Sequence, residues 1–176
     1  MIEELEFIEQ LQNIKNLIQR SFNIELHLNV TKESFMTLLT EEIQITGLSI
    51  VTTNHNNQGM QDIGKLWQAF SKHPLFSKLM AKGTKVYSVY DEYESDENGG
   101  YRVTIGCKNL EAVEGFSAVK IQAGHYKEFN VSPISPENIS DTWQNIWKDQ
   151  SLKRIFSTDY EVYEKDNMSI HVKVNP

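Results

Sequence analysis

The stretch Asp159-Tyr160-Glu161-Val162-Tyr163 sets a carboxylate among aromatic and branched residues. The stretch Val86-Tyr87-Ser88-Val89-Tyr90 repeats its aromatic-x-Val-aromatic spacing, with Ser88 where Glu161 stands. Aromatic and β-branched residues at this density are typical of strands. Each copy lies downstream of an apolar helical pattern that contains Trp. The chain is therefore predicted to be a duplicated unit in which only one half carries the acid.

The residues around Glu161 complete the second copy. Apolar residues at i, i+4, i+7 and i+8, from Ile139 to Trp147, predict an amphipathic helix after two prolines. The strands Asp159 to Glu164 and Ser169 to Val174 form a hairpin after it, and an extended segment from Phe116 to Val131 precedes it. The predicted order is β-α-β-β.

The first copy has the same order. An apolar run from Ile43 to Val51 predicts a strand, and apolar residues from Ile63 to Phe70 at i, i+3, i+4 and i+7 predict a helix that ends before Pro74. Two strands follow, Lys85 to Glu94 and Tyr101 to Lys108, joined by a polar, Gly-rich loop. Each repeat thus supplies one helix and one hairpin.

Together the two copies predict an α+β fold: duplicated β-α-β-β units that form an antiparallel sheet with two helices on one face. The halves, about residues 42–110 and 111–176, are predicted to meet along a central groove. Grooves between halves are preferred places for ligands.

Residues 1–41 are predicted to be an N-terminal helix and strand extension. The spacing of Phe7, Leu11, Ile14 and Ile18 predicts an amphipathic helix over residues 2–20. Strict alternation from Phe22 to Val30 predicts a strand, and Thr31 to Leu39 is predicted to be a short helix. The apolar stripe of the first helix either packs on its own domain or contacts a partner, including a second copy as a homodimer.

Composition excludes several classes of protein. A net charge of -7 argues against direct binding of nucleic acid or of an anionic membrane. Cys107 is the only cysteine, and no apolar run approaches the ~18 residues of a membrane span, so a reducing, cytoplasmic location is predicted. No dinucleotide, phosphate-loop or paired-histidine motif is present, so no cofactor and no metal are predicted.

The ordered set of motifs resembles the GyrI-like small-molecule-binding family. That family includes the effector-binding domains of AraC-type and MerR-type multidrug-sensing regulators and stand-alone integron-associated binders. The motifs are Ile45-Thr46-Gly47-Leu48, Ile63 to Phe70, Tyr87-Ser88-Val89-Tyr90, Tyr101 to Gly106, Ala123-Gly124-His125-Tyr126, Trp143 to Trp147 and Tyr160-Glu161-Val162-Tyr163. The resemblance runs from about Glu42 to the C-terminus, and it implies an effector-binding domain over residues 42–176.

The resemblance also implies a central cavity, walled by aromatic rings, that binds amphipathic and often cationic compounds. In many members a buried Glu near the C-terminus is the electrostatic anchor, and Glu161 matches that position. Tyr126 matches the Tyr of the family's Ala-Gly-x-Tyr segment. The chain departs from the family in its short last hairpin and in its first forty residues, which match neither DNA-binding module. The resemblance therefore does not directly imply that the protein is a transcription factor.

The candidate site combines the acid with the aromatic residues. A buried carboxylate is costly unless something compensates its charge. A ligand cation would do so, and aromatic faces would add cation-π attraction. The alternative is that Glu161 points to solvent beside Lys165 or Lys173, and that the Trp residues are core. The candidate ligand-binding residues are Glu161, Tyr126, Tyr87, Tyr90, Tyr101, Tyr163, Trp67 and Trp147.

Three functions are compatible with the sequence. The first is a binding protein for amphipathic small molecules that acts as a sensor, a sequestering protein or a regulatory partner. The second is a hydrolase of electrophilic compounds in which Glu161 and Tyr126 polarise a water. The third is a partner-binding protein that acts through residues 2–20.

Overall fold

The computed structural model of the chain describes residues 34–111 and 113–176. These ranges contain eight β-strands and three α-helices, and a short 3₁₀ turn precedes the first helix. In chain order they are β1 (Ser34–Leu39), β2 (Ile43–Thr53), α1 (Gln58–Lys72), α2 (Pro74–Ala81), β3 (Val86–Asp91), β4 (Gly100–Lys108), β5 (Ser117–Ile121), β6 (Gly124–Asn130), α3 (Pro136–Lys148), β7 (Thr158–Tyr163) and β8 (Met168–Lys173). The predicted α+β class is confirmed.

The strands form one antiparallel sheet in the order β1-β6-β8-β7-β3-β4-β2-β5. From the centre outward, β3-β4-β2 of the first half mirrors β7-β8-β6 of the second, as the duplication predicts. In the register of β3 and β7, Ser88 lies opposite Glu161. Because these two residues are also equivalent in the repeat, the pseudo-twofold axis passes through this pair.

The two edge strands are exchanged between the halves. β1 precedes β2 but pairs with β6, and β5 precedes β6 but pairs with β2. Only Gln122 and Ala123 separate β5 from β6, and two residues between strand ends span about 10 Å at most. The two edges of the sheet must therefore approach each other, so the sheet is strongly curved.

One local prediction is wrong, and one helix is not predicted. The short helix over Thr31 to Leu39 is instead the strand β1 in its described part, because the open edge of β6 supplies backbone partners that no local pattern reveals. The helix α2 is not predicted. It begins with Pro74 at its first position, and the His73 side chain caps it by accepting a hydrogen bond from the Leu75 backbone. The predictions for residues 2–30 lie outside the described residues, and the boundary at residue 42 stays a prediction.

The helices cover one face of the sheet, as predicted. Leu66 and Phe70 of α1 and Ile146 of α3 belong to the same buried cluster as Ile105 and Ile170 of the sheet. α3 begins at the capping side chain of Ser135, which accepts a hydrogen bond from the backbone of Asn138. In the described part of the chain, no helix is long and apolar enough to cross a membrane.

The opposite face of the sheet is buried by its own curvature. It holds a second apolar cluster, formed by Ile45, Tyr87, Val89, Val119, Ile121, Tyr126 and Tyr160. Alternate residues of the central strands β3 and β7 therefore enter two different cores. Which core a residue enters decides whether it can contribute to a site under the helices.

The closest backbone approach lies at paired glycines of β2 and β4. Gly47 and Gly106 are register partners. A Cβ atom on Gly47 would overlap the carbonyl of Ile105, and one on Gly106 would overlap the carbonyl of Thr46. Since backbone atoms cannot move aside locally, any side chain here must displace a whole strand.

We expect Gly106→Ala to lower the free energy of unfolding by roughly 2–4 kcal/mol, because the added methyl group meets backbone. Gly64→Ala, in helix α1 where nothing lies within 4 Å of the new Cβ, is the matched control. It should raise stability by up to about 1 kcal/mol through helix propensity. Urea unfolding measures both, and a loss below about 1 kcal/mol in Gly106→Ala would contradict the close approach.

Candidate functional site

Glu161 lies in the middle of β7 and faces the helices. Alternation along the strand places Asp159, Glu161 and Tyr163 on this face, and Tyr160 and Val162 on the other. Glu161 is only 2% exposed. The structure therefore places this acid inside the helix-covered core and not beside solvent lysines.

Three donors bind the Glu161 carboxylate. Trp143 Nε1 of α3 donates to Oε1 at 2.6 Å, and the Tyr90 hydroxyl donates to the same oxygen at 3.0 Å. The Tyr163 hydroxyl donates to Oε2 at 2.7 Å. Among the described residues, no Lys or Arg forms an ion pair with it. The acid is thus hydrogen-bonded but has no countercharge.

Burial raises the pKa of Glu161 above its usual value, and the hydrogen bonds from Trp143, Tyr163 and Tyr90 oppose that rise. Burial, together with the nearby carboxylate, also raises the pKa values of Tyr90 and Tyr163. Both phenols therefore keep their protons and remain donors. A positive charge placed near Glu161 would lower its pKa again.

Aromatic rings surround the acid. The ring centroids of Tyr90 and Trp143 are 5.2 Å apart, and those of Tyr90 and Tyr101 are 6.1 Å apart. Trp67 of α1 meets Tyr163 edge-on at 4.8 Å. Of the predicted site residues, the structure thus gathers Tyr90, Tyr101, Tyr163 and Trp67 around Glu161.

Trp143 is the site residue that the sequence prediction missed. It was assigned to the core on its helical spacing, and it does belong to the core cluster. A buried indole, however, needs an acceptor for its N–H. That need is the signal that could have pointed to a buried acceptor beneath this helix, but the alternation of the strands does not say which sheet face, and hence which acid, the helix covers.

Tyr126 and Tyr87 lie on the opposite face of the sheet from Glu161. Both belong to the second apolar cluster, and Tyr126 is fully buried with its hydroxyl donating to the Gln122 carbonyl at 2.7 Å. The register of each strand fixes these orientations. The structure therefore does not bring Tyr126 to Glu161, which is the pairing that the hydrolase alternative requires.

Trp147 lies at the end of α3 and is 37% exposed. Its ring centroid is 6.3 Å from that of Trp143. Together with Ile146, Glu97 and Arg154 it lines a groove of about 330 Å³. Trp147 thus lines a surface groove, and the ring of Trp143 lies between it and the hydrogen bonds at Glu161.

A second buried acid, Asp159, lies two residues before Glu161 on the same face. It accepts hydrogen bonds from the Tyr93 hydroxyl at 2.8 Å, Arg154 Nη2 at 2.7 Å and the Lys173 backbone at 2.8 Å. The Arg154 guanidinium neutralises its charge. The two acids share a strand and a core, yet only Asp159 has a cation of its own.

Other reactive groups offer little chemistry here. Burial raises the pKa of the Cys107 thiol to about 11, so it is not a thiolate nucleophile. In residues 34–111 and 113–176, no three His, Cys, Asp or Glu side chains are grouped to hold a metal ion. The arrangement at Glu161 is suited to holding a charged guest and not to activating a nucleophile.

A solved structure of similar fold is an integron cassette protein from the mobile metagenome of Vibrio cholerae. It is 28% identical, with a TM-score of 0.69, and the match covers 81% of this chain and 95% of that chain. No curated protein sequence matches the chain.

Two more distant structures share the fold. SAV2435 bound to tetraphenylphosphonium is 14% identical with a TM-score of 0.65, and the match covers 81% of this chain and 94% of that one. A transcription regulation protein of Staphylococcus aureus MU50, described as putative, is also 14% identical with a TM-score of 0.65, at 83% and 100% coverage.

A family model described as "Integron-associated effector binding protein" matches residues 39–175. That range is well over half of the chain, and it contains both halves of the duplicated unit. The predicted family resemblance is thereby confirmed. The chain belongs to the integron-associated effector-binding protein family.

Proposed function

We propose that the protein binds amphipathic organic cations beneath its helices, with Glu161 as the anchoring charge. The observation that carries this proposal is a buried carboxylate with three hydrogen-bond donors and, among the described residues, no ion-pair partner. Membership of an effector-binding family supports small-molecule binding in general. The protein would act as a sensor, a sequestering protein or a regulatory partner.

The electrostatics favour a cationic guest. A unit positive charge about 4 Å from the ionised carboxylate contributes on the order of 4 kcal/mol at an effective dielectric of about 20, before desolvation costs. Each aromatic face in contact with the cation adds roughly 0.5–2 kcal/mol. Tyr90, Tyr101, Trp67 and Trp143 supply such faces. A neutral guest of the same shape would gain only the apolar contact.

Binding requires side chains to move, because Glu161 is closed off in the absence of a guest. Trp143 and Tyr163 cover the acid through their hydrogen bonds. A cation that displaces them replaces two donors with a full charge. The displaced rings can then pack against the bound cation, so the same residues that cover Glu161 would line the occupied site.

A protein of the same fold supplies a practical probe. SAV2435 is described as bound to tetraphenylphosphonium, a bulky aromatic cation. The same compound is a suitable first ligand for this chain, because tetraphenylborate has nearly the same shape and the opposite charge. A comparison of the two dissociation constants separates the contribution of charge from that of apolar surface.

We expect Glu161→Gln to weaken tetraphenylphosphonium binding at least tenfold, which corresponds to about 1.4 kcal/mol. The substitution removes the charge but retains a hydrogen-bond acceptor. Isothermal titration calorimetry measures the dissociation constant. Glu164→Gln is the control, since this exposed acid pairs with Lys85 and its loss changes the net charge equally. Equal affinity in wild type and Glu161→Gln would refute the anchor, as would preferential binding of tetraphenylborate.

The affinity for the cation should depend on pH. Because burial raises the pKa of Glu161, a larger fraction of the acid is neutral at mildly acidic pH. A cation prefers the ionised form, so affinity should rise as pH increases through the raised pKa and then level off. Calorimetry from about pH 5 to 8 measures this rise, which should disappear in Glu161→Gln. A flat profile in the wild-type protein would count against a titrating anchor.

Replacing Trp143 by Phe should shift this pH profile. The Nε1 donor to Glu161 Oε1 is lost, so the pKa of the acid rises further and the midpoint of binding moves to higher pH. Trp147→Phe is the control, because Trp147 donates no hydrogen bond to Glu161 and is partly exposed. An identical shift in both variants, or none in Trp143→Phe, would show that the indole N–H does not tune the acid.

A further inference from the structure

The residue opposite Glu161 at the pseudo-twofold axis is a buried serine. Ser88 is fully buried, and its register partner on β7 is Glu161. Its Oγ atom forms no hydrogen bond of good geometry among the described residues, although the hydroxyl lies near enough to Tyr90 to oppose the rise in the pKa of that phenol. Hydroxyl groups buried in this way are uncommon, because each one lost its hydrogen bonds to water on folding.

The local geometry explains why Ser88 lacks a partner. Tyr90, two residues along the same face of β3, gives its hydroxyl proton to Glu161. Trp143 and Tyr163 also donate to Glu161. The carboxylate thus draws the surrounding donors to itself. The Ser88 oxygen, across the strand pair from it, receives none of them.

Residues directly opposite in an antiparallel pair have Cβ atoms about 4.5–5.5 Å apart. A small charged group that reaches Glu161 from the helix side therefore also reaches Ser88. The carboxylate supplies charge to such a group, and the serine oxygen supplies a directional acceptor. Only a cation with at least two hydrogens on its charged centre can donate to both.

We propose that Ser88 is a second polar contact of the ligand site and selects ammonium ions that carry at least two N–H groups over fully substituted cations. The proposal rests on the proposed function at Glu161 and adds the class of ligand. A protonated primary or secondary amine donates one N–H to Glu161 and another to Ser88 while its apolar part lies among the aromatic rings. A quaternary ammonium or a phosphonium leaves the serine unpartnered.

The test uses two naphthylmethyl cations that differ only in the substituents on nitrogen. The monomethylammonium carries two N–H groups, and the trimethylammonium carries methyl groups in their place. Their dissociation constants are measured by calorimetry at a pH where the amine is fully protonated. Wild type, Ser88→Ala and Ser169→Ala are compared. Ser169 is the control because it is a buried serine on the other face of the sheet, where it contacts His171.

Ser88→Ala should weaken binding of the monomethylammonium about five- to tenfold and leave binding of the trimethylammonium unchanged, which is the loss expected for one hydrogen bond. Ser169→Ala should change neither. The thermal midpoint of ligand-free Ser88→Ala should stay level or rise, since the change removes an unpartnered hydroxyl. Equal effects of Ser88→Ala on the two cations would overturn the selection.

The outcomes separate this inference from the proposed function. Suppose that both cations bind and that Glu161→Gln weakens both. If Ser88→Ala then changes the two dissociation constants equally, only the role of Ser88 is refuted. If neither cation binds the wild-type protein, the proposed function fails and the role of Ser88 fails with it. The wild-type protein also gives a test that needs no variant, because equal affinity for the two cations would contradict the selection.

Discussion

The structure depends on a carboxylate that is buried without an ion-pair partner among the described residues. Glu161 sits at the pseudo-twofold axis of a curved sheet, beneath α3 and surrounded by aromatic rings. Its neighbour Asp159 shows the usual arrangement for a buried acid, with the Arg154 guanidinium beside it. The difference between these two acids on one strand is the physical basis for assigning a ligand site to Glu161.

Duplication supplies the scaffold, and one departure from symmetry supplies the site. The axis makes Ser88 and Glu161 equivalent, so two glutamates there would repel each other in a buried place. With Ser88 on one side, a single buried negative charge lies at the axis, and the serine hydroxyl beside it is a directional hydrogen-bonding group.

Much of this arrangement is predictable from the sequence, since period-two alternation and the repeated motif locate the strands, both long helices and the acid. Alternation does not say which face carries the helices, and for that reason Tyr87 is in the same candidate set as Tyr90, whereas Tyr126 is a candidate only through the family resemblance. The edge strand β1 and the Trp143 donor depend on partners far along the chain. A sequence pattern reveals only local periodicity, whereas these contacts join residues that are far apart in the chain and form only when the two halves pack together.

The most direct test of the central claim is a measurement of the pKa of Glu161. It is obtained from the pH dependence of the ¹³C chemical shift of the Glu161 side-chain carboxyl in a labelled sample. The account predicts a pKa above that of an exposed glutamate in the ligand-free protein, and a clear fall when tetraphenylphosphonium saturates the protein. A normal pKa without ligand, or a raised pKa that the bound cation leaves unchanged, would contradict it.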